Sequence, residues 1–168
     1  DSINIQVING KLNFIEENTF NSPDFKSIGL YDCVLIYLRD NNYKDVNYRV
    51  IELFNCTEIA IQNQKIEEIG NTGLIYIDEN SNANLLDRIY ADYQILNPTN
   101  PNNIAILIEG DNNQILQGIV ENATIGVSIT SSIGNSIRYL SLEGCRTGIQ
   151  ISGSEQSLIQ NCYITGVK

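Results

Sequence analysis

The chain has 168 residues, enough for one domain with a sizeable core, and carries 10 basic against 20 acidic residues for a net charge of -10. Its Lys and Arg stand singly rather than in a stripe, which argues against a nucleic-acid backbone as partner, and no apolar run is long enough for membrane insertion. Met is absent, so the sequence reads as an excerpt or a processed product. Its 4 Cys, without any CxxC spacing, read as core thiols rather than a disulfide scaffold or metal knuckle.

In chain order, Ile3 to Ile8 alternates apolar and polar residues, Asn9-Gly10 is a strong turn dipeptide, and Lys11 to Ile15 alternates again. That pattern predicts either a hairpin or an opening coil. Glu16 to Ser27 reads as loop, so residues 1–27 are expected to be N-terminal strands and a loop leading into the main body at 28–168. Tyr31-Asp-Cys33 and Phe54-Asn-Cys56 lie 23 residues apart and resemble Glu143-Gly-Cys145, which predicts that Cys33, Cys56, Ala123 and Cys145 form one inward column. Leu74 to Ile77 corresponds to Ile104 to Leu107, and Asn84 to Tyr90 corresponds to Gln114 to Val120, both at an offset of 30. The extra length falls at Tyr93 to Asn102, beside Asn97 to Asn103, which carries two of the 3 prolines. This insertion is expected to be a projecting turn.

From there the repeat is regular. Gln114 to Val127 and Ser136 to Ile149 match position by position at an offset of 22, pairing Ile115 with Ile137, Val120 with Leu142, Ala123 with Cys145 and Val127 with Ile149. Ser157 to Val167 repeats it in shorter form, with Cys162 in the turn, and the pattern runs to the end without a polar cap, which is expected further on. No segment shows a helical period over three turns. Strands of three to six residues joined by such short turns cannot make a βαβ sheet. They predict an all-β fold, a right-handed single-stranded parallel β-helix with coils of about 22 residues. At about 4.8 Å per coil, about seven coils make a column roughly 30 to 35 Å long. Asn55, Asn122, Asn135 and Asn161 recur at turns, where stacked amides can bond along the column.

The phrase Asn-x-x-x-Gly-Val-x-Ile in Asn122 to Ile129, echoed in Arg146 to Ile151, resembles the repeat of the pectate-lyase-like parallel β-helix superfamily. The resemblance covers residues 28–168. It implies the fold, and it implies a setting among polysaccharide lyases, glycoside hydrolases and bacteriophage tailspikes. The Asn- and Ile-rich, acidic, Met-free texture is most similar to a phage tail fibre or tailspike segment. The expected function is therefore a structural and receptor-binding module of a virion or extracellular surface that recognises host polysaccharide, arranged as a homotrimer. The alternatives are a polysaccharide hydrolase or lyase with its groove on the column, and a bacterial surface adhesin.

Two sets of residues carry that expectation. Glu121 and Glu143 occupy the same position of consecutive coils, where paired carboxylates suit glycoside hydrolysis or a shared Ca²⁺, or simply project into solvent. No other cofactor and no metal ligand set is expected. Asp87, Arg88, Tyr90, Asp92, Tyr93, Glu109 and Asp111 flank the insertion and are expected to wall a sugar groove with acids, one Arg and two phenol rings. Tyr139 and Tyr163 are expected on a flank or an intersubunit surface. No Asp cluster stands in register with a basic residue, so the calcium-and-base pattern of the lyases is not met.

Overall fold

The computed structural model describes residues 5–21, 27–46, 49–67, 75–93 and 103–166. Every strand in them is short and pairs in parallel with its counterpart one coil away, giving a β-solenoid of about 6 turns with roughly 23 residues per turn. No helix occurs among the described residues. Seven strands, Ile5–Ile8, Ile28–Tyr31, Ile51–Phe54, Ile75–Ile77, Ile104–Ile108, Ile125–Thr130 and Thr147–Ser152, stack as the first sheet. The remaining strands form the second sheet, which runs from Lys11–Glu16 and Thr19–Asn21 up to Leu158–Gln160 and Tyr163–Thr165.

The register decides between the two readings of the first residues. Ile5 pairs with Ile28, Lys11 with Val34 and Thr19 with Asn42, all parallel, so these strands are an opening coil and not a hairpin. The 22-residue repeat is reproduced residue for residue, with Ile115 on Ile137, Val120 on Leu142 and Val127 on Ile149. All of these are buried except Ile149, which is partly covered. Upstream the pairing is one residue away from the sequence alignment: Ile75 faces Ile106 and Leu85 faces Gln114. The run Ile104–Ile108 is apolar throughout, so alternation could not choose its inward row, and a slip of one residue exchanges the faces. The insertion lies outside the described residues apart from Tyr93.

Without helices, each coil must turn by other means. It does so at four columns of residues in the left-handed region. One column follows the first sheet (Asn9, Asp32, Asn55, Ser131, Gly153) and one opens the second (Leu12, Leu35, Glu58, Ala83, Asn112, Gly134, Gln156). Another kinks the second sheet (Glu17, Asp40, Asn63, Arg88, Tyr139, Asn161), and the last closes it (Asp45, Asn122, Gly144, Gly166). A left-handed L-residue costs roughly 1–2 kcal/mol, and Asn, Asp and Gly bear that cost best. This explains the abundance of Asn at the turns.

The same turns place the cysteines. Cys33, Cys56, Cys145 and Cys162 each follow a left-handed residue, and each thiol donates to two backbone carbonyls, Cys56 for example to Leu30 and Phe54 at 3.3 and 3.2 Å. All four are free, Cys162 less buried than the rest. They do not make one column. Cys33 and Cys56 follow strands of the first sheet, whereas Ala123 and Cys145 follow strands of the second and line the opposite corner. The local turn is the same at both corners, which is why the sequence could not separate them.

One inward column is polar. Asn84, Asn113 and Asn135 are buried and stacked. The amide oxygen of each accepts the backbone N–H of the coil before, from Ile59, Asn84 and Asn113 at 2.9, 2.9 and 2.8 Å. Their Nδ2 groups donate to the carbonyls of Cys56, Ser81 and Gly110. Of the four asparagines expected to stack, Asn135 belongs to this inner ladder and Asn55 bonds outward to Asp32 at 2.6 Å. At Gly110 an added Cβ would lie 1.9 Å from the Ser81 carbonyl oxygen, so the ladder and the corner beside it close with no room for a side chain.

Substituting Asn113→Ala leaves the N–H groups of Asn84 and the Ser81 carbonyl without their partner, and is expected to cost about 2–4 kcal/mol in urea denaturation. Ala83 is exposed with φ 55°, and Ala83→Gly relieves left-handed strain at a smaller entropic cost. A gain of about 0.5–1 kcal/mol is expected, against a loss for Ala83→Val.

Candidate functional site

The outer face of the second sheet carries the candidate site. In the kinked strand Leu85–Asp92, left-handed Arg88 turns its side chain outward, and Tyr139 does the same two coils on. Between them the column holds Gly118, which pairs with Ile89 on one side and Leu140 on the other. A Cβ there would stand 2.4 Å from the Ile89 carbonyl oxygen and 3.2 Å from the buried Leu140 side chain, so this rung of the inward row is a close approach of backbones. Outside it lies an open groove of about 380 Å³ lined by Arg88, Tyr90, Gln117, Ile119 and Tyr139, with Gly118 and Ile89 as floor. It runs along the column axis for two coil spacings, roughly 10 Å.

Its chemistry is mixed. Tyr139 and Ile119 are exposed at 56% and 39% and offer apolar surface. Arg88 is exposed and held to Asp87, with Nε and Nη2 each 3.1 Å from the same carboxylate oxygen, which leaves other guanidinium donors directed elsewhere. Gln117 supplies a donor and an acceptor. Tyr90 donates from its hydroxyl to Glu121 Oε2 at 3.2 Å. Its pKa is raised by burial first, then by the negative charges of Glu121 and Asp92, so it stays a donor in ordinary buffers.

Beside the groove runs a ladder of carboxylates. Asp92 pairs with Glu121 and Glu121 with Glu143, and Glu67 follows Ile66, which faces Ala91. Glu143 accepts from Ser141 Oγ at 2.9 Å, and Glu67 is bound by Lys65 at 2.7 Å. Among the described residues, no three His, Cys, Asp or Glu side chains converge as a metal site.

The remaining expected groove residues go elsewhere. Tyr93 is 1% exposed and belongs to the core, so its ring is not a sugar platform. Glu109 and Asp111 follow the first-sheet strand Ile104–Ile108, whereas Asp92 ends a strand of the second sheet, so the width of the column separates them. Glu109 accepts the Tyr76 hydroxyl at 2.6 Å, and Asp111 accepts the Ile133 N–H at 2.7 Å. Sequence adjacency failed here because one strand crosses the section between them. Gln117, Gly118 and Ile119 were missed, although a Gly in a row otherwise filled by Ile89 and Leu140 was the available signal.

A second polar cluster lies on the first sheet. Arg49 bonds Glu52, a 1% exposed carboxylate, at 3.1 Å and stacks 4.3 Å above the Tyr76 ring, whose hydroxyl reaches Glu109. Burial and Glu109 raise the Tyr76 pKa. Arg49 supplies the opposite charge that the buried Glu52 carboxylate requires.

In comparisons with known proteins, no family model matches the chain, and no significant match was found among curated proteins or solved structures. The site is therefore read from its own geometry and chemistry.

Burial raises the Tyr93 pKa well above 10.0 and pushes Cys56 from 9.0 up to about 11. Both groups are neutral when folded, so their contribution to stability is complete below their ordinary values and is lost as pH rises through the folded ones. The urea midpoint is expected to hold to about pH 9 and then fall through pH 11, with Cys56→Ala showing a smaller early fall.

Proposed function

We propose that this protein is a polysaccharide-binding β-solenoid, a receptor-binding segment of a surface appendage such as a phage tail spike or fibre, and that its glycan lies in the Arg88–Tyr139 groove. The observation that carries this reading is the outward trough over Ile89 and Gly118, flanked by Tyr90 and Tyr139 with Arg88 and the Gln117 amide at its edge. Sugars present apolar ring faces and rows of hydroxyls. Tyrosine rings cover the former, while Arg, Gln and the Tyr90 hydroxyl bond the latter. An axial trough on a rigid column also fits an extended chain better than a compact ligand. The acidic balance and scattered basic residues favour a neutral or weakly charged glycan over a polyanion.

Glycan-array screening followed by calorimetry tests the reading. Tyr139 is exposed, so Tyr139→Ala should leave the melting temperature unchanged while weakening binding about tenfold. Binding indifferent to Tyr139→Ala would remove the groove from consideration.

A hydrolytic second reading has one observation in its favour. Glu121 and Glu143 stand on adjacent rungs, about 5 Å apart at Cα, and Glu121 is tied to the groove through Tyr90. Release of reducing ends from a bound glycan, abolished by Glu121→Gln or Glu143→Gln, would establish it. Intact glycan after prolonged incubation leaves the binding module alone.

A further inference from the structure

The candidate groove has the period of the column. One wall is built from the residue before the floor on three successive rungs, Arg88, Gln117 and Tyr139, and the other from the residue after it, Tyr90 and Ile119. The walls stand two residues apart along each strand, roughly 7 Å, which admits a single file of sugar rings. Rungs follow one another at about 5 Å along the axis. An extended chain of diequatorially 1,4-linked pyranoses advances by nearly the same distance per sugar, so each sugar of such a chain meets one rung.

Alternate sugars of that ribbon are turned over. The first and third show one edge to the Arg88–Tyr139 wall and the middle one shows the opposite edge. The wall has a middle that suits this, because the Gln117 amide holds a donor and an acceptor together and serves either edge. Arg88 spends Nε and Nη2 on Asp87 and keeps its other donors for a hydroxyl of the first sugar. Tyr139, exposed at 56%, offers ring and hydroxyl to the third. Beyond Tyr90 stand the carboxylates of Asp92 and Glu121, and Asp87 already offsets the charge of Arg88, so the surroundings disfavour carboxylate or sulfate on the chain.

The backbone singles out the same two residues. Arg88 and Tyr139 both sit in the left-handed region at φ 56°, at a column position held elsewhere by Glu17, Asp40, Asn63 and Asn161. Asp and Asn tolerate that conformation better than Arg or Tyr do. What Arg and Tyr add at these two rungs is reach along the groove, and strain retained where a side chain serves a ligand has a reason to persist.

Resting on the polysaccharide reading of this groove, we propose that it takes three consecutive sugars of an unbranched, neutral, diequatorially 1,4-linked pyranose chain, one sugar per coil. Calorimetric titration of the 168-residue chain with β-1,4-linked gluco-, manno- and N-acetylglucosamine oligomers of increasing length tests it, with α-1,4-linked gluco-oligomers, which coil rather than extend, as the counterpart. At least one β-1,4 series is expected to bind about tenfold tighter with each sugar up to the third and to level off beyond it, while the α-1,4 series gains nothing with length. Arg88→Asn and Tyr139→Asn each place a residue that tolerates the left-handed backbone, and an unchanged melting temperature shows that they fold. Each should remove one station, so that the trisaccharide binds no better than the disaccharide. A glycan that needs Tyr139 but is branched, anionic or α-linked, or whose affinity keeps rising past the third sugar, would overturn the match of one sugar to one coil and leave binding in the groove standing. Binding by no glycan at all would overturn both.

Discussion

The column depends on left-handed residues at most of its corners. They turn a strand of a few residues within a short connection, and a helical crossover would need a dozen residues that the coil does not have. Placing these residues in vertical register lets each corner repeat the one beneath it, with the backbone N–H of the corner residue bonding the next coil, as Asp32 does to Phe54 and Asn122 to Glu143. The strain of each corner is held by the ladder on either side, which is how residues such as Leu35 and Tyr139 remain in a conformation they disfavour. Sheets, core and surface follow from that repeated turn.

Inside, register is protected twice. Apolar stacking alone permits slippage where a run such as Ile104–Ile108 offers apolar side chains on both faces. The Asn84–Asn113–Asn135 ladder removes that freedom, because a shift of one residue would carry three amides out of the core and strand the N–H groups they serve. The Arg49, Glu52, Tyr76 and Glu109 cluster fixes the first sheet from the outside in a similar way.

Much of this was legible in the sequence, and the exceptions have physical causes. The parallel coil and the 22-residue offset were readable because identical environments select similar residues, as with Val120 over Leu142. The cysteines misled because one turn type serves two corners, so Cys56 and Cys145 each follow a left-handed turn residue yet lie at different corners of the column. Of the residues expected to wall a groove, Arg88 and Tyr90 line the candidate one, because charged and aromatic residues announce themselves. Gln117 and Ile119 were not expected, since an amide and an aliphatic side chain are common on any strand. Glu109 and Asp111 were grouped with Asp92 because separation along the chain does not say which side of a solenoid a residue occupies.

The parallel pairing of coil on coil bears on how the molecule would respond to force. Hydrogen bonds between coils lie along the column axis, so tension applied at the C-terminal end loads one coil at a time rather than shearing all of them together. Coils would therefore release in steps of one turn. Resistance would rise on reaching the asparagine ladder, where apolar release is joined by the loss of buried amide bonds. The column is in this sense a ratchet that is stiffest where the asparagines stack.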